Sequence, residues 1–190
     1  MATFVKKQGG INYYQIDGYR AAGIIPYFKR NNEYYILLNK EFRSKKLKYH
    51  FLGGKVDEKD KCIQDTALRE ANEECGLLIN NLITKLYRYL VFEKTKYIKI
   101  AKSKYISYLV NIEESSDIIH WLNLPELFRE TFKSNPYILK HNESIYLSWM
   151  KLSDIEKNME ELSYLGKIII LKLKQRLKIA LESEDTFLDV

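Results

Sequence analysis

No stretch of these 190 residues is long and apolar enough to cross a bilayer. The longest apolar run towards the C-terminus, Ile168 to Leu171, stops at Lys172. The first ten residues, MATFVKKQGG, lack the apolar centre of a secretory signal. Cysteine is scarce: Cys62 and Cys75 stand thirteen positions apart, and on one helix roughly 20 Å separates them, beyond disulfide reach. Free thiols imply a reducing, intracellular setting, and the expectation is a cytoplasmic protein. The three histidines, His50, His120 and His141, are scattered and show no metal-ligand spacing. No linker, low-complexity tract or fixed-period repeat divides the chain, so residues 1–190 read as a single domain.

Aromatic residues are plentiful: 15 Tyr, 8 Phe and 2 Trp within a 46% hydrophobic composition argue for a folded globule. The net charge of +6 comes from 31 basic and 25 acidic residues that are mixed rather than blocked. That excess suits a phosphate-rich partner as readily as it suits solubility.

Residues 19–30 and 33–43 predict two strands joined by a turn at Asn31-Asn32. A third short strand over 47–52 ends at Gly53-Gly54, and a helix from about Ile63 to Cys75 is closed by Gly76. Stretches at about 84–93 and 96–112 read as strands, and 116–135 reads as a helix. The segment SIYLSWM is a strand. After it, Ser153-Asp154-Ile155-Glu156 predicts a capping box for one long final helix. Its apolar face runs through Ile155, Met159, Leu162, Leu165, Ile169, Leu173 and Leu177. The fold class is α/β in the α+β sense, a mixture of strands and helices.

Chemistry gathers on the helix after the glycines. Glu70, Glu73 and Glu74 stand at i, i+3 and i+4, on one helical face. Three carboxylates on one patch repel one another unless a cation neutralises them, and Mg²⁺ or Mn²⁺ is held this way beside substrate phosphates. Arg69, four residues before Glu73, can steady that carboxylate. Glycine at 54 lets backbone approach the same patch.

This ordered combination resembles the Nudix box, G-x5-E-x7-R-E-U-x-E-E-x-G-U with U apolar. Arg69, Glu70, Ala71, Glu73, Glu74, Gly76 and Leu77 match its second half without a gap. The first half departs from it. Gly54 lies fifteen positions before Arg69 where the pattern has fourteen, and the box's first glutamate falls on Lys61. Asp60, Glu58 or Asp57 could take its place if the loop bulges.

The resemblance implies an αβα sandwich around a mixed sheet, with a helical insertion near 116–135 and a long C-terminal helix. It implies Mg²⁺ or Mn²⁺ bound by Glu70 and Glu74, with Glu73 close by and the Gly54 carbonyl as a further ligand. The activity implied is hydrolysis of a nucleoside diphosphate linked to another moiety, by water attack on phosphorus. The resemblance also leaves a homodimer open. The proton acceptor is a box glutamate or a later acid: Glu143, six positions before Trp149, is preferred, with Glu114 and Asp117 as rivals.

Basic residues Arg43, Lys45, Lys46 and Lys48 precede the box. Lys94, Lys96, Lys99, Lys102 and Lys104 interleave with Tyr97 and Tyr105; a solvated strand face is the first reading of this pattern, and an RNA-binding face the second. The basic balance makes capped RNA one candidate substrate, with nucleotide sugars and oxidised nucleoside triphosphates also open. A Nudix-fold binding or regulatory module without hydrolysis is the alternative from another class.

Overall fold

The structure is a computed structural model that describes residues 1–5, 13–43, 46–92, 95–134 and 144–182. A two-stranded ribbon, β1 (Thr3–Val5) with β2 (Tyr13–Gln15), opens the chain. Among the described residues the main sheet has seven strands. Its centre is the hairpin of β3 (Ala21–Arg30) and β4 (Glu33–Arg43). Asn31 and Asn32 take φ of 53° and 60°, the left-handed geometry that a tight hairpin turn needs and that asparagine tolerates.

Beyond this hairpin the two strands splay, and the next two strands fill the gap. β5 (Lys46–His50) runs antiparallel to β4, and β6 (Leu52–Lys55) runs antiparallel to β3. Because β3 and β4 themselves run in opposite directions, the chain must turn at the buried Phe51. Gly53 and Gly54 are thus strand residues, where the sequence suggested a turn closing a strand.

Helix α1 (Ile63–Glu74) follows and buries Ile63, Ala67, Leu68 and Ala71 against the sheet. Cys75 caps it and Gly76 sits at φ 64°, the left-handed position after the helix. Next comes α2 (Ile83–Phe92), in the segment that reads as a strand from sequence. Its aromatic content misleads; Leu82, Leu86 and Leu90 recur at helical spacing and are the residues that become buried. The predicted strand over 96–112 is two strands, β7 (Tyr97–Ile100) and β8 (Tyr105–Asn111). They are separated by a 3₁₀ turn and by Lys104 at φ 51°. β8 runs parallel to β3, which makes the sheet mixed.

Helix α3 (Ile118–Ser134) is the expected insertion, and β9 (Ser144–Lys151) returns antiparallel to β4. The expected single final helix is divided into α4 (Leu152–Lys157) and α5 (Tyr164–Glu182). Lys151, rather than Ser153, precedes the first of these, and no side chain caps it. The interruption is tertiary: Leu162 bridges to Tyr49, and the Ser163 N–H donates to the Tyr49 carbonyl at 2.9 Å.

Two apolar cores result. One joins α1, α2 and α3 to Ala22, Ile24, Leu37 and Leu52; the other joins α4 and α5 to Ile25, Ile36, Leu38 and Phe51. Alternate residues of the same strands serve opposite faces, as a sheet sandwiched between helices requires. Among the described residues, no helix is long and apolar enough to cross a membrane.

Candidate active site

α1 lies over β3 and β6, and its last turn meets the two glycines. The Gly53 N–H donates to Glu74 Oε2 at 2.7 Å. The Glu70 carboxylate rests on Gly54 so closely that a Cβ there would overlap it. Only glycine admits that approach. Gly53 is constrained from the opposite face, where the buried Tyr105 places its hydroxyl against Gly23 and Gly53, a cross-strand pair. Tyr105 is therefore a core residue and no part of an exposed lysine–tyrosine surface.

Arg69 organises the carboxylates. Its Nη1 donates to Glu70 Oε1 at 2.9 Å and to Glu73 Oε2 at 3.2 Å. Nη2 donates to the Lys55 carbonyl at 2.8 Å, tying the helix to the end of β6. Nε and Nη2 grip Asp60 through both carboxylate oxygens, each at 3.0 Å. Asp60 also accepts from the Thr66 hydroxyl at 2.7 Å and from the Asp57 N–H at 2.9 Å. Of the three acids that sequence offered in place of Lys61, Asp60 is the one that reaches Arg69. Lys61 itself is exposed, and its N–H donates to Asp65 in the first turn of α1. Glu58 turns instead to the Tyr14 hydroxyl.

Thr66 is an organising residue that sequence reasoning missed. The available signal was its position, three before Arg69 on the same helical face.

Burial pushes the Asp60 carboxyl upward, but the Arg69, Asp57 and Thr66 hydrogen bonds outweigh it and hold the group below its ordinary value. Glu70 comes out the other way. Burial raises it, Arg69 opposes, and the neighbouring charges of Glu73 and Asp60 leave it above its ordinary value. A buried carboxyl that ionises reluctantly gains most from a cation placed beside it.

The donor chemistry suits a hard divalent ion, for it consists of carboxylate oxygens that a glycine allows to approach the strand backbone. Among the described residues, no three or more acidic, histidine or cysteine side chains are grouped closely enough to hold a metal ion by themselves. Glu70 and Glu73 face Arg69, and Glu74 faces the Gly53 N–H.

Two of the later acids, Glu114 and Asp117, lie elsewhere. Gly54 pairs with Ala22 near one end of β3, whereas Asn111, which ends β8, pairs with Tyr27. Five residues of strand, roughly 17 Å, separate those positions. Glu114 lies beyond Asn111 and accepts from its side chain at 2.9 Å, and Asp117 is paired with Lys85 at 2.7 Å. Both line a separate cavity of about 160 Å³ with Tyr89 and Trp121. Glu143 lies outside the described residues, one position before Ser144 at the start of β9.

Residues 19–165 match the family profile of the NUDIX domain. Among solved structures, a Nudix hydrolase from M. Smegmatis, RenU, is similar at 11% identity and a TM-score of 0.46, with 93% of this chain and 96% of that chain covered. The NUDIX domain of Shewanella oneidensis NrtR, in complex with ADP ribose, matches at 13% identity and a TM-score of 0.48, covering 83% and 86%. A C. elegans Ap4A hydrolase matches at 17% identity and a TM-score of 0.42, covering 83% and 96%. No curated protein matches the sequence.

Proposed function

The chain belongs to the NUDIX domain family, and on that premise we propose that it hydrolyses the diphosphate linkage of a nucleoside diphosphate joined to another moiety. The observation that carries this reading is the seating of Glu70 and Glu74 on Gly54 and Gly53, with Arg69 fixing the helix from which they project.

Glu70, Glu73, Glu74 and the Gly54 backbone would hold Mg²⁺ or Mn²⁺. Once bound, such an ion polarises phosphoryl oxygens and offsets the charge that builds on the departing phosphate. The protein's own residues supply the geometry. Arg69 and Asp60 keep α1 in register with β6, so the carboxylates meet the backbone at a fixed place. Water forms a new bond to one phosphorus while the bridging P–O bond breaks, and a carboxylate takes the water's proton. Glu114 and Asp117, tied up beyond the other end of the central strands, are poorly placed for that step. The acceptor is a helix glutamate or Glu143. A Glu143→Gln variant separates the two: lost turnover with unchanged Mg²⁺ dependence assigns the step to Glu143, and full turnover assigns it to the helix.

The test of the reading is a panel of capped RNA, nucleotide sugars, ADP-ribose, dinucleoside polyphosphates, nucleoside triphosphates and diphosphoinositol phosphates, with Mg²⁺ or Mn²⁺. Cation-dependent cleavage of a phosphoric anhydride in at least one is expected. No turnover of any member would leave the chain as a binding or regulatory module on this fold.

A further inference from the structure

On the sheet face that carries α1, Asn39, Glu41, His50 and Ser144 form a cluster of buried polar side chains. Asn39 and Glu41, two apart on β4, are 0% and 1% exposed. His50 pairs opposite Asn39 from β5, and Ser144 pairs opposite Glu41 from β9; both are buried. Strand alternation places Asn39 and Glu41 with Leu37, which packs in the α1 core, as does Leu147, the cross-strand partner of Asn39. Lys40 between them serves the other face, over the Tyr49 ring and near Glu161.

Asn39 has one half of its amide engaged. Its Nδ2 donates to Ser144 Oγ at 2.8 Å. The carbonyl Oδ1 is then a buried acceptor with no donor among the described residues. Buried polar atoms in native folds are nearly always paired, so an orphan acceptor points to a donor from outside the chain.

Its position says which donor. His50 stands four positions before Gly54, so their Cα atoms lie no more than roughly 14 Å apart. Asn39 stands directly across from His50. Phosphates held at Gly54 and α1 would leave the base of a nucleotide within reach of this cluster. We infer that Asn39 Oδ1 accepts a hydrogen bond from the exocyclic amino group of the substrate's base, favouring adenine, guanine or cytosine over uracil. The placement of the phosphates rests on the hydrolase reading; the hydrogen-bond chemistry of Asn39 does not.

Binding of monophosphates, which have no anhydride to cleave, tests the inference by calorimetry in Mg²⁺. The probes are AMP, GMP, CMP, UMP, purine riboside 5′-monophosphate, which lacks the amino group of AMP, and ribose 5-phosphate. At least one amino-bearing nucleotide should bind about tenfold or more tighter than UMP, and AMP should exceed its deaminated analogue by a similar factor. Asn39→Leu should reduce those ratios to about one while leaving ribose 5-phosphate affinity unchanged. Should Asn39→Leu fail to fold, the comparison of AMP with its deaminated analogue on the unaltered protein decides. Equal binding of all probes, discrimination retained in Asn39→Leu, or no binding at all would overturn the inference. Turnover without base preference would sink this inference and leave the hydrolase. Base-selective binding without turnover would do the reverse.

Discussion

Asp60 and Arg69 form a two-point ion pair, Nε to Oδ1 and Nη2 to Oδ2, each at 3.0 Å. It joins the charged loop to α1 at the place where the box departs from its usual spacing. The pair is shielded, with the Asp60 side chain 4% exposed and that of Arg69 28% exposed. Arg69 would keep Glu70, Glu73 and the Lys55 carbonyl, but the Thr66 hydroxyl and the Asp57 N–H would lose their acceptor, and Asp60→Ala should cost about 1–3 kcal/mol in urea unfolding. Lys61→Glu, which restores the acid at the position the pattern names, should leave turnover within about twofold, because an exposed substitution seldom matters more. A large gain in Lys61→Glu would mean that Asp60 does not fill the role.

Acidification should weaken the same pair. The folded-state value of Asp60 lies below its ordinary one. Its contribution is therefore complete above the unfolded carboxyl value, about 3.9, and is lost as pH falls through the folded value. Melting temperatures of the unaltered protein and Asp60→Asn, taken without divalent cations, should differ at neutral pH and converge below about pH 4. A gap that stays constant across this range would show that the charge of Asp60 is not what stabilises the loop.

Alanine at the two glycines should fail in different ways. At Gly54 the obstacle is the end of the Glu70 side chain, which can swing aside. Gly54→Ala should therefore fold with a near-normal melting temperature and lose about a hundredfold or more in turnover, as misplacing a catalytic group does. At Gly53 a Cβ would stand 2.6 Å from the Ala22 carbonyl and 2.6 Å from Gly23 Cα, both backbone atoms on β3. Gly53→Ala should destabilise the sheet itself, read as a lowered melting temperature. Equal behaviour of the two variants would contradict the assignment of Gly54 to the site and Gly53 to the fold.

These contrasts show what the sequence discloses and what it hides. Helix α1 was legible because its signals are local: apolar spacing, a terminal glycine, and glutamates at i, i+3 and i+4. The segment that became α2 was not, since its tyrosines and other β-prone residues favour a strand until a core exists for Leu86 and Leu90 to enter. The break between α4 and α5 has no glycine or proline at its start; it arises where Leu162 and Ser163 engage Tyr49, a contact more than a hundred residues away in the chain. At the site, the glutamates and Arg69 were readable, and Asp60 stood among three candidates. The contact of Tyr105 with the glycine pair, and the cluster around Asn39, depend on strand register, which one sequence does not specify.

The most direct measurement is the Mg²⁺-dependent turnover of Glu74→Gln against the unaltered protein on the best substrate of the panel. Glutamine keeps the shape of the side chain and can still accept from the Gly53 N–H, so the fold should persist while the charge needed for the cation is gone. The account predicts a loss of at least about a hundredfold in kcat with an unaltered melting temperature. Turnover unchanged in Glu74→Gln would contradict it.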